Sequence, residues 1–540
     1  MKSERRGLVL VIAVILVSAV LGAIYGPSTQ ATASTAEDEH AAIRQFTNVL
    51  DVVQANYAEP VDIDKAVYQG AIPGMLRVLD PHSNFFDARQ YALLREDQRG
   101  KYYGVGMVVA PRETRTVVMQ PYVGAPAFNA GIRPGDVIIK VDDKSTEGLT
   151  TTDVADLLKG PKGTIVKITV TREGYEQPLV FTVTRDEIPR HSVDIAFMLK
   201  PGIGYIKLSG FNETTDHEIG DALKQLGASN LDGLILDMRG NPGGLLNEAV
   251  AVGDMFLDKN QLIVSHHGRS SPERRYFALR GNQGMTTPLV ILVNGNSASA
   301  TEIVSGAVQD HDRGLIVGET TFGKGLVQTV QPLSENTGLA LTTARYYTPS
   351  GRLIQRDYKS VSLYSYHYER HVPDHPTEVR LTDSGRQVTG GGGITPDIVV
   401  PTPKLNHFQE ALFRADVFYP YENGVGGFTR FYLGSKPTIT KEFKVDDDLM
   451  KTFRQYLAKH NVRYTEPDMA ENQDWVERKI KQEVFLSTFG MQEGFKVLLE
   501  ADPQVQKAED AIPQARALYE NVRKIVAQRA GNSANSLDQQ

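Results

Sequence analysis

Two short segments hold the residue types that could break an acyl bond. Leu289-Val-Ile-Leu-Val-Asn-Gly-Asn-Ser-Ala-Ser-Ala-Thr-Glu302 reads as a buried strand entering a tight turn and then a helix. Ser299 has a small residue on each side, Ala298 and Ala300, so its hydroxyl is uncrowded. At the start of a helix, unpaired backbone N–H groups and the positive end of the dipole face any oxygen in front of the serine. That arrangement suits attack on a carbonyl, whose developing oxyanion needs fixed donors. The same position also suits a plain N-cap, and these features do not choose among Ser297, Ser299 and Ser305.

The second segment, Gly318-Glu-Thr-Thr-Phe-Gly-Lys-Gly-Leu-Val-Gln328, sets one lysine between two glycines. Glycines permit an unusual backbone path that could bring Lys324 into a confined space. To act as a base the amine must be neutral, far below its ordinary pKa of about 10.4. A shift of about three units is worth roughly 4 kcal/mol, which burial without a carboxylate partner can supply. The nearest acid before Lys324 in the chain is Glu319, and none lies within four residues after it. Gln328, four residues on, shares a face with Lys324 and offers an amide oxygen that orients an amine without adding charge.

Together with Gln309-Asp310 and Leu341-Thr-Thr-Ala-Arg-Tyr-Tyr-Thr-Pro-Ser-Gly-Arg-Leu-Ile-Gln355, these motifs resemble the C-terminal processing peptidases, the tail-specific protease family. The resemblance implies a serine endopeptidase with a Ser–Lys–Gln set on Ser299, Lys324 and Gln328, and it selects Ser299 over the other serines. Thr301 stands where the family commonly has serine. The turn in Leu234-Ile-Leu-Asp-Met-Arg-Gly-Asn-Pro-Gly-Gly-Leu245 then implies an oxyanion donor from Gly243 or Gly244 beside the Ala300 N–H. Leu79-Asp-Pro-His-Ser83 and Gly393-Ile-Thr-Pro-Asp-Ile398 match family patterns near the two ends of the similarity.

Residues 101–187 change texture to short β-branched runs between Gly and Pro turns, and resemble a PDZ domain. The carrying residues are Tyr103-Gly-Val-Gly-Met107, Ala130-Gly-Ile-Arg-Pro-Gly-Asp136 and Leu158-Lys-Gly-Pro-Lys-Gly-Thr164. Backbone N–H groups of the Gly104-Val105-Gly106-Met107 loop could hold a terminal carboxylate while the adjacent strand edge accepts an extended peptide.

Other chemistries fit poorly. His311, flanked by Asp310 and Asp312, could form a Ser–His–Asp set, but Ser297 and Thr301 stand where Gly-x-Ser-x-Gly needs glycines. No His-Glu-x-x-His or Ser-x-x-Lys occurs, and His266-His267 has no nearby ligand partner, so neither a metal nor another cofactor is expected. The chain has no cysteine, which excludes disulfides and a thiol nucleophile, and a net charge of −7 gives no reason to expect nucleic acid as a partner.

At 540 residues several domains are needed to position these groups. Lys2, Arg5 and Arg6 precede an uncharged apolar run over 7–26, about the length of a spanning helix, so residues 1–35 read as a membrane anchor or signal with a linker. Ala31-Thr32-Ala33 has the form a signal peptidase accepts. The expected place is outside the inner membrane, in a bacterial periplasm or envelope. Residues 36–100 read as helical, with a stripe of Ile43, Phe46, Val49, Leu50 and Val53. Residues 188–402 alternate strands and helices, an α/β core that the resemblance implies to be ClpP/crotonase-like. The helical region 403–540 reads as an oligomerisation or adaptor-docking module. Partners are proteins or peptides with accessible C-termini.

Overall fold

A computed structural model describes residues 36–537 apart from 113, 173, 369–377, 416, 419–426 and 436–438. The apolar run expected to anchor the chain lies outside the described residues, among which no helix is long and apolar enough to cross a membrane. The chain divides into a small unit up to Gly74 and a large one from Met75 onward. The small unit holds α1 (Ala36–Asn56), and its expected stripe of Ile43, Phe46, Val49 and Val53 is exposed.

The large unit opens with a three-residue strand β1 (Asn84–Phe86) and helix α2 (Ala88–Arg99), which is capped by an Asp87–Gln90 box and closed by Gly100 in the left-handed region. The β-rich domain follows. Its sheet runs in the order β2 (Met107–Arg112), β3 (Arg115–Pro121), β4 (Val137–Val141), β5 (Ile165–Thr171), β6 (Leu179–Thr184), with a short strand Lys144–Ser145 beside β4. Helix α3 (Thr151–Leu158) covers it, and Val118, Ile138, Val154, Val166 and Ile168 fill a core of their own.

The main sheet has six strands in the order β7 (Val193–Lys200), β8 (Ile203–Leu208), β9 (Gly233–Asp237), β12 (Leu289–Val293), β13 (Gly314–Gly318), β16 (Ile398–Val399). Only β7–β8 is antiparallel. Parallel strands must be covered on both faces, which explains why β9, β12 and β13 are buried end to end. One face packs on α4 (Thr215–Leu226), α5 (Leu246–Phe256) and α6 (Ala300–Asp310) through Ile219, Val252, Phe256, Ile303 and Val304. The other face is covered from the far end of the chain. Val505, Ala508, Ala511, Ile512 and Ala515 of α7 (Pro503–Leu537) pack on Tyr205, Ile235, Val290, Leu292 and Val317. The described residues after 403 therefore do two things: Phe408, Phe453, Val476 and Ile480 gather a core among helices, and α7 completes the sheet.

A second sheet orders β1, β15 (Gly338–Tyr347), β10 (Leu262–His267) and β11 (Arg274–Phe277), with β14 (Leu326–Pro332) forming a hairpin on β15. It carries Gln328 opposite Thr342.

Candidate active site

Ser299 leaves β12 through a tight turn and stands at the N-cap of α6 with φ 56° and ψ −113°. A non-glycine residue there is held only by its surroundings, and those surroundings centre on Glu302. This carboxylate is fully buried and accepts four hydrogen bonds: from Ser299 N (2.8 Å), Gly323 N (2.7 Å), Lys324 N (2.9 Å) and Thr321 Oγ1 (2.5 Å). One side chain thus pins the serine turn and the lysine loop to each other. Burial pushes its carboxyl up, while the donated hydrogen bonds pull it back.

The lysine loop needs its glycines. Gly323 has φ 85°, and a Cβ on Gly325 would lie 3.0 Å from the Gln355 nitrogen. Buried Tyr346 spans the same gap, its hydroxyl 3.1 Å from the Ser299 carbonyl and 2.5 Å from that of Lys324. The Lys324 amine donates to Gln328 Oε1 at 3.1 Å and makes no ion pair among the described residues. Burial lowers its pKa from the ordinary value, against a raising pull from the Glu302 and Asp80 carboxylates.

Ser299, Ala300, Lys324, Gln328, Gly243 and Gly244 line one cavity of about 670 Å³. The other serines are occupied elsewhere. Ser297 Oγ donates to the Met238 carbonyl and Ser305 Oγ to that of Thr301, both fully buried. A Cβ on Gly243 would lie 2.8 Å from Ser299 Cβ and 2.9 Å from the Ala300 nitrogen, so only glycine lets this turn approach. The Gly243 N–H is already given to Asn241 Oδ1 at 2.9 Å, whereas the Gly244 N–H has no acceptor among the described residues. Beneath the turn, burial would raise the Asp237 carboxyl, but Arg239 and Lys207 hold it at about 2.

His311 caps the opposite end of α6 from Ser299. Its ring sits 2.7 Å from Asp383 Oδ2 and 2.7 Å from the Leu262 carbonyl, and it does not line the cavity. Of the remaining histidines weighed from the sequence, His266 meets the Tyr276 hydroxyl and His267 stacks on Tyr347.

Gly104, Val105, Gly106 and Met107 stand apart from this cavity, at the start of the β-rich domain. The side chains of Val105 and Met107 are buried in that domain's core, so only their backbone is left to meet a ligand. The domain is tied to α2 by Arg89–Asp156 (2.7 Å) and Lys159–Glu96 (2.6 Å), and Leu94, Asp97 and Gln98 of α2 line the cavity.

Sequence reasoning missed three contributors here: Glu302, Tyr346 and His82, which also lines the cavity. Glu302 left a signal in its Ser-x-x-Glu capping spacing from Ser299, whereas His82 and Tyr346 lay inside the motifs at 79–83 and 341–355 without their roles being readable there.

The chain is similar to known proteins. The model for peptidase family S41 matches residues 202–360 and a PDZ domain model matches residues 117–172. A carboxy-terminal-processing protease of Bartonella bacilliformis is 35% identical over 376 residues, covering 69% of this chain and 78% of its own. The carboxy-terminal processing protease CtpA of Bacillus subtilis is 33% identical over 352 residues, covering 64% and 74%. Among solved structures, the photosystem II D1 C-terminal processing protease aligns at 32% identity over 66% of this chain and 86% of its own, with a TM-score of 0.34.

Proposed function

The chain belongs to peptidase family S41 as a carboxy-terminal processing protease, a serine-type peptidase carrying a PDZ domain, and on that footing we propose that it cleaves through Ser299 and Lys324. Neutral Lys324 takes the proton from Ser299 Oγ as the oxygen attacks the substrate carbonyl. The tetrahedral oxyanion is met by the Ala300 N–H and by that of Gly244, the glycine of the turn whose N–H is not already engaged. Protonated Lys324 then gives its proton to the leaving amine, and an acyl-enzyme remains. Water attacks the ester as neutral Lys324 takes its proton, and Lys324 returns that proton to Ser299 Oγ as the acyl–oxygen bond breaks and the new C-terminus leaves.

The observation that carries this reading is the state of the Lys324 amine: in the same cavity as Ser299, bonded to an uncharged amide, and depressed by burial. An amine paired to a carboxylate would stay protonated and useless as a base. Substrate selection is assigned to the Gly104–Met107 loop, whose backbone holds the terminal carboxylate while the adjoining strand edge feeds the tail toward Ser299. The similarity of the family extends this to apolar C-termini. A mostly parallel sheet flanked by helices on both faces supports a ClpP/crotonase-like core. Export, with the apolar N-terminal run as anchor, completes the reading.

The test is peptide hydrolysis by wild type, Ser299→Ala and Lys324→Ala across pH. Each substitution should lower kcat by about 10³-fold or more. A Lys324→Ala enzyme with wild-type kcat overturns the mechanism. Loss of tail-peptide binding on altering the Gly104–Met107 loop, with cleavage of a tail-less peptide retained, checks the selection step.

A further inference from the structure

The segment Leu79-Asp-Pro-His-Ser83 takes no part in the reaction as derived so far, yet its main chain touches the catalytic set. Asp80 is buried, and its Oδ1 accepts the N–H groups of both His82 and Ser83 at 2.8 Å. Its Oδ2 accepts from Ser83 Oγ at 2.7 Å, and Ser83 Oγ in turn accepts the Thr342 N–H at 3.1 Å. The turn is thereby fastened to β15 within the hairpin that carries Gln328, at Thr342, which stands opposite Gln328. Its product is a fixed carbonyl. The His82 C=O accepts a hydrogen bond from Gln328 Nε2.

That contact decides which way the Gln328 amide faces. A carbonyl only accepts, so the amide must turn its NH2 toward His82. Its Oε1 is then the end left for the Lys324 amine, 3.1 Å away. With one amine N–H so engaged, the lone pair of neutral Lys324 is free to point into the cavity it shares with Ser299. Reversed, the amide would set its oxygen against the His82 carbonyl and its NH2 against the Lys324 nitrogen, occupying the lone pair that the base needs. The His82 ring adds nothing charged to this: its Nε2 lies 2.8 Å from the hydroxyl of buried Tyr366, and burial and Lys324 lower its pKa to about 3.

We propose that the Asp80–Ser83 turn is a positioning element of the catalytic base, in which Asp80 holds the His82 carbonyl so that it sets the orientation of Gln328 and, through it, of Lys324. This rests on Lys324 acting as base with Gln328 beside it. Asp80 touches neither substrate nor reacting atoms.

A double-mutant cycle on the full chain tests it. Asp80→Ala and Gln328→Ala should each lower kcat by about 10- to 100-fold with KM little changed. The double variant should fall no more than about threefold below Gln328→Ala alone, because both substitutions act through one amide. Asp80→Asn keeps an acceptor for the His82 and Ser83 N–H groups and should recover most of the loss. Should Asp80→Ala not fold, Ser83→Ala takes its place in the cycle. Losses that multiply in the double variant while Gln328→Ala is itself impaired would overturn the proposal and leave the Ser–Lys reading standing. So would an Asp80→Ala enzyme with wild-type kcat. Wild-type kcat in Gln328→Ala, with Lys324→Ala inactive, would remove Gln328 and this turn from the mechanism together. An active Lys324→Ala would remove the base itself.

Discussion

Glu302 accepts the backbone N–H of Ser299 at 2.8 Å and that of Lys324 at 2.9 Å, so a single carboxylate sets the distance between the proposed nucleophile and the proposed base. All four of its partners donate. Glu302→Gln would place an NH2 group where an acceptor is required, leaving buried donors facing one another. The expected result is a folded enzyme destabilised by about 1–3 kcal/mol, with kcat reduced about 100-fold. Urea unfolding and peptide hydrolysis on the same preparation check both parts. A variant of normal stability and normal rate would show that the carboxylate is not what joins the two loops.

The protonation of Lys324 should appear as the acidic limb of the pH–rate profile. Burial lowers this amine, and a base works only when unprotonated, so activity rises as pH climbs through a value below 10.5. The Glu302 and Asp80 carboxylates both raise it. Removing either charge, as in Asp80→Asn, should therefore move the limb to lower pH. A limb that shifts upward in Asp80→Asn, or stays put, contradicts this electrostatic account.

Much of the site was legible because its parts are local. A strand, a turn and a helix start are written in consecutive residues around Ser299, and Lys324 reaches Gln328 across a four-residue offset. The Asp80 turn was not legible in that way. It acts through a main-chain carbonyl on a residue 246 positions away, and a carbonyl leaves no mark in side-chain pattern. The fold shows the same division. The unbroken apolar run of β12 announces that both faces are covered, but nothing in Leu289–Val293 says that one cover is a helix starting at Pro503. The small residues Ala508, Ala511 and Ala515 fit a sheet closely, and alone they read as ordinary helix formers.

His311 offers a stability prediction separate from catalysis. Burial would lower its pKa, but the Asp383 carboxylate and the Leu262 carbonyl outweigh that and raise it. A group raised in the folded state stabilises fully below its ordinary value of about 6.5, and that contribution is lost as pH rises through the folded value. His311→Gln should therefore cost about 1–2 kcal/mol at pH 6 and less at pH 9, with hydrolysis retained. Abolished hydrolysis in a well-folded His311→Gln protein would revive a Ser–His–Asp reading.

The C-terminal helix should matter to catalysis through Arg239. This side chain leaves the turn that leads to Gly243 and Gly244, bonds Asp237 at 2.6 Å, and reaches Asp502 Oδ2 at 2.7 Å and Gln504 Oε1 at 2.8 Å at the start of α7. Asp237 is buried and held at about 2, so its contribution is present above its ordinary value near 4 and is lost as pH falls through about 2. Arg239→Ala leaves that carboxylate with Lys207, the Tyr205 hydroxyl and the backbone N–H of residue 239, and should destabilise the protein by about 3 kcal/mol at pH 7. The gap from wild type should narrow between pH 4 and pH 2, as the orphaned carboxyl protonates and no longer needs its partner. Because the same arginine steadies the proposed oxyanion turn, kcat should fall about tenfold in conditions where the variant is fully folded. Asp502→Ala combined with Gln504→Ala, which cuts both bonds from Arg239 to the start of α7 and leaves Arg239–Asp237 in place, separates the two effects. A fall in kcat there would make the last helix part of what holds the site, whereas an unchanged kcat would confine its role to covering the sheet.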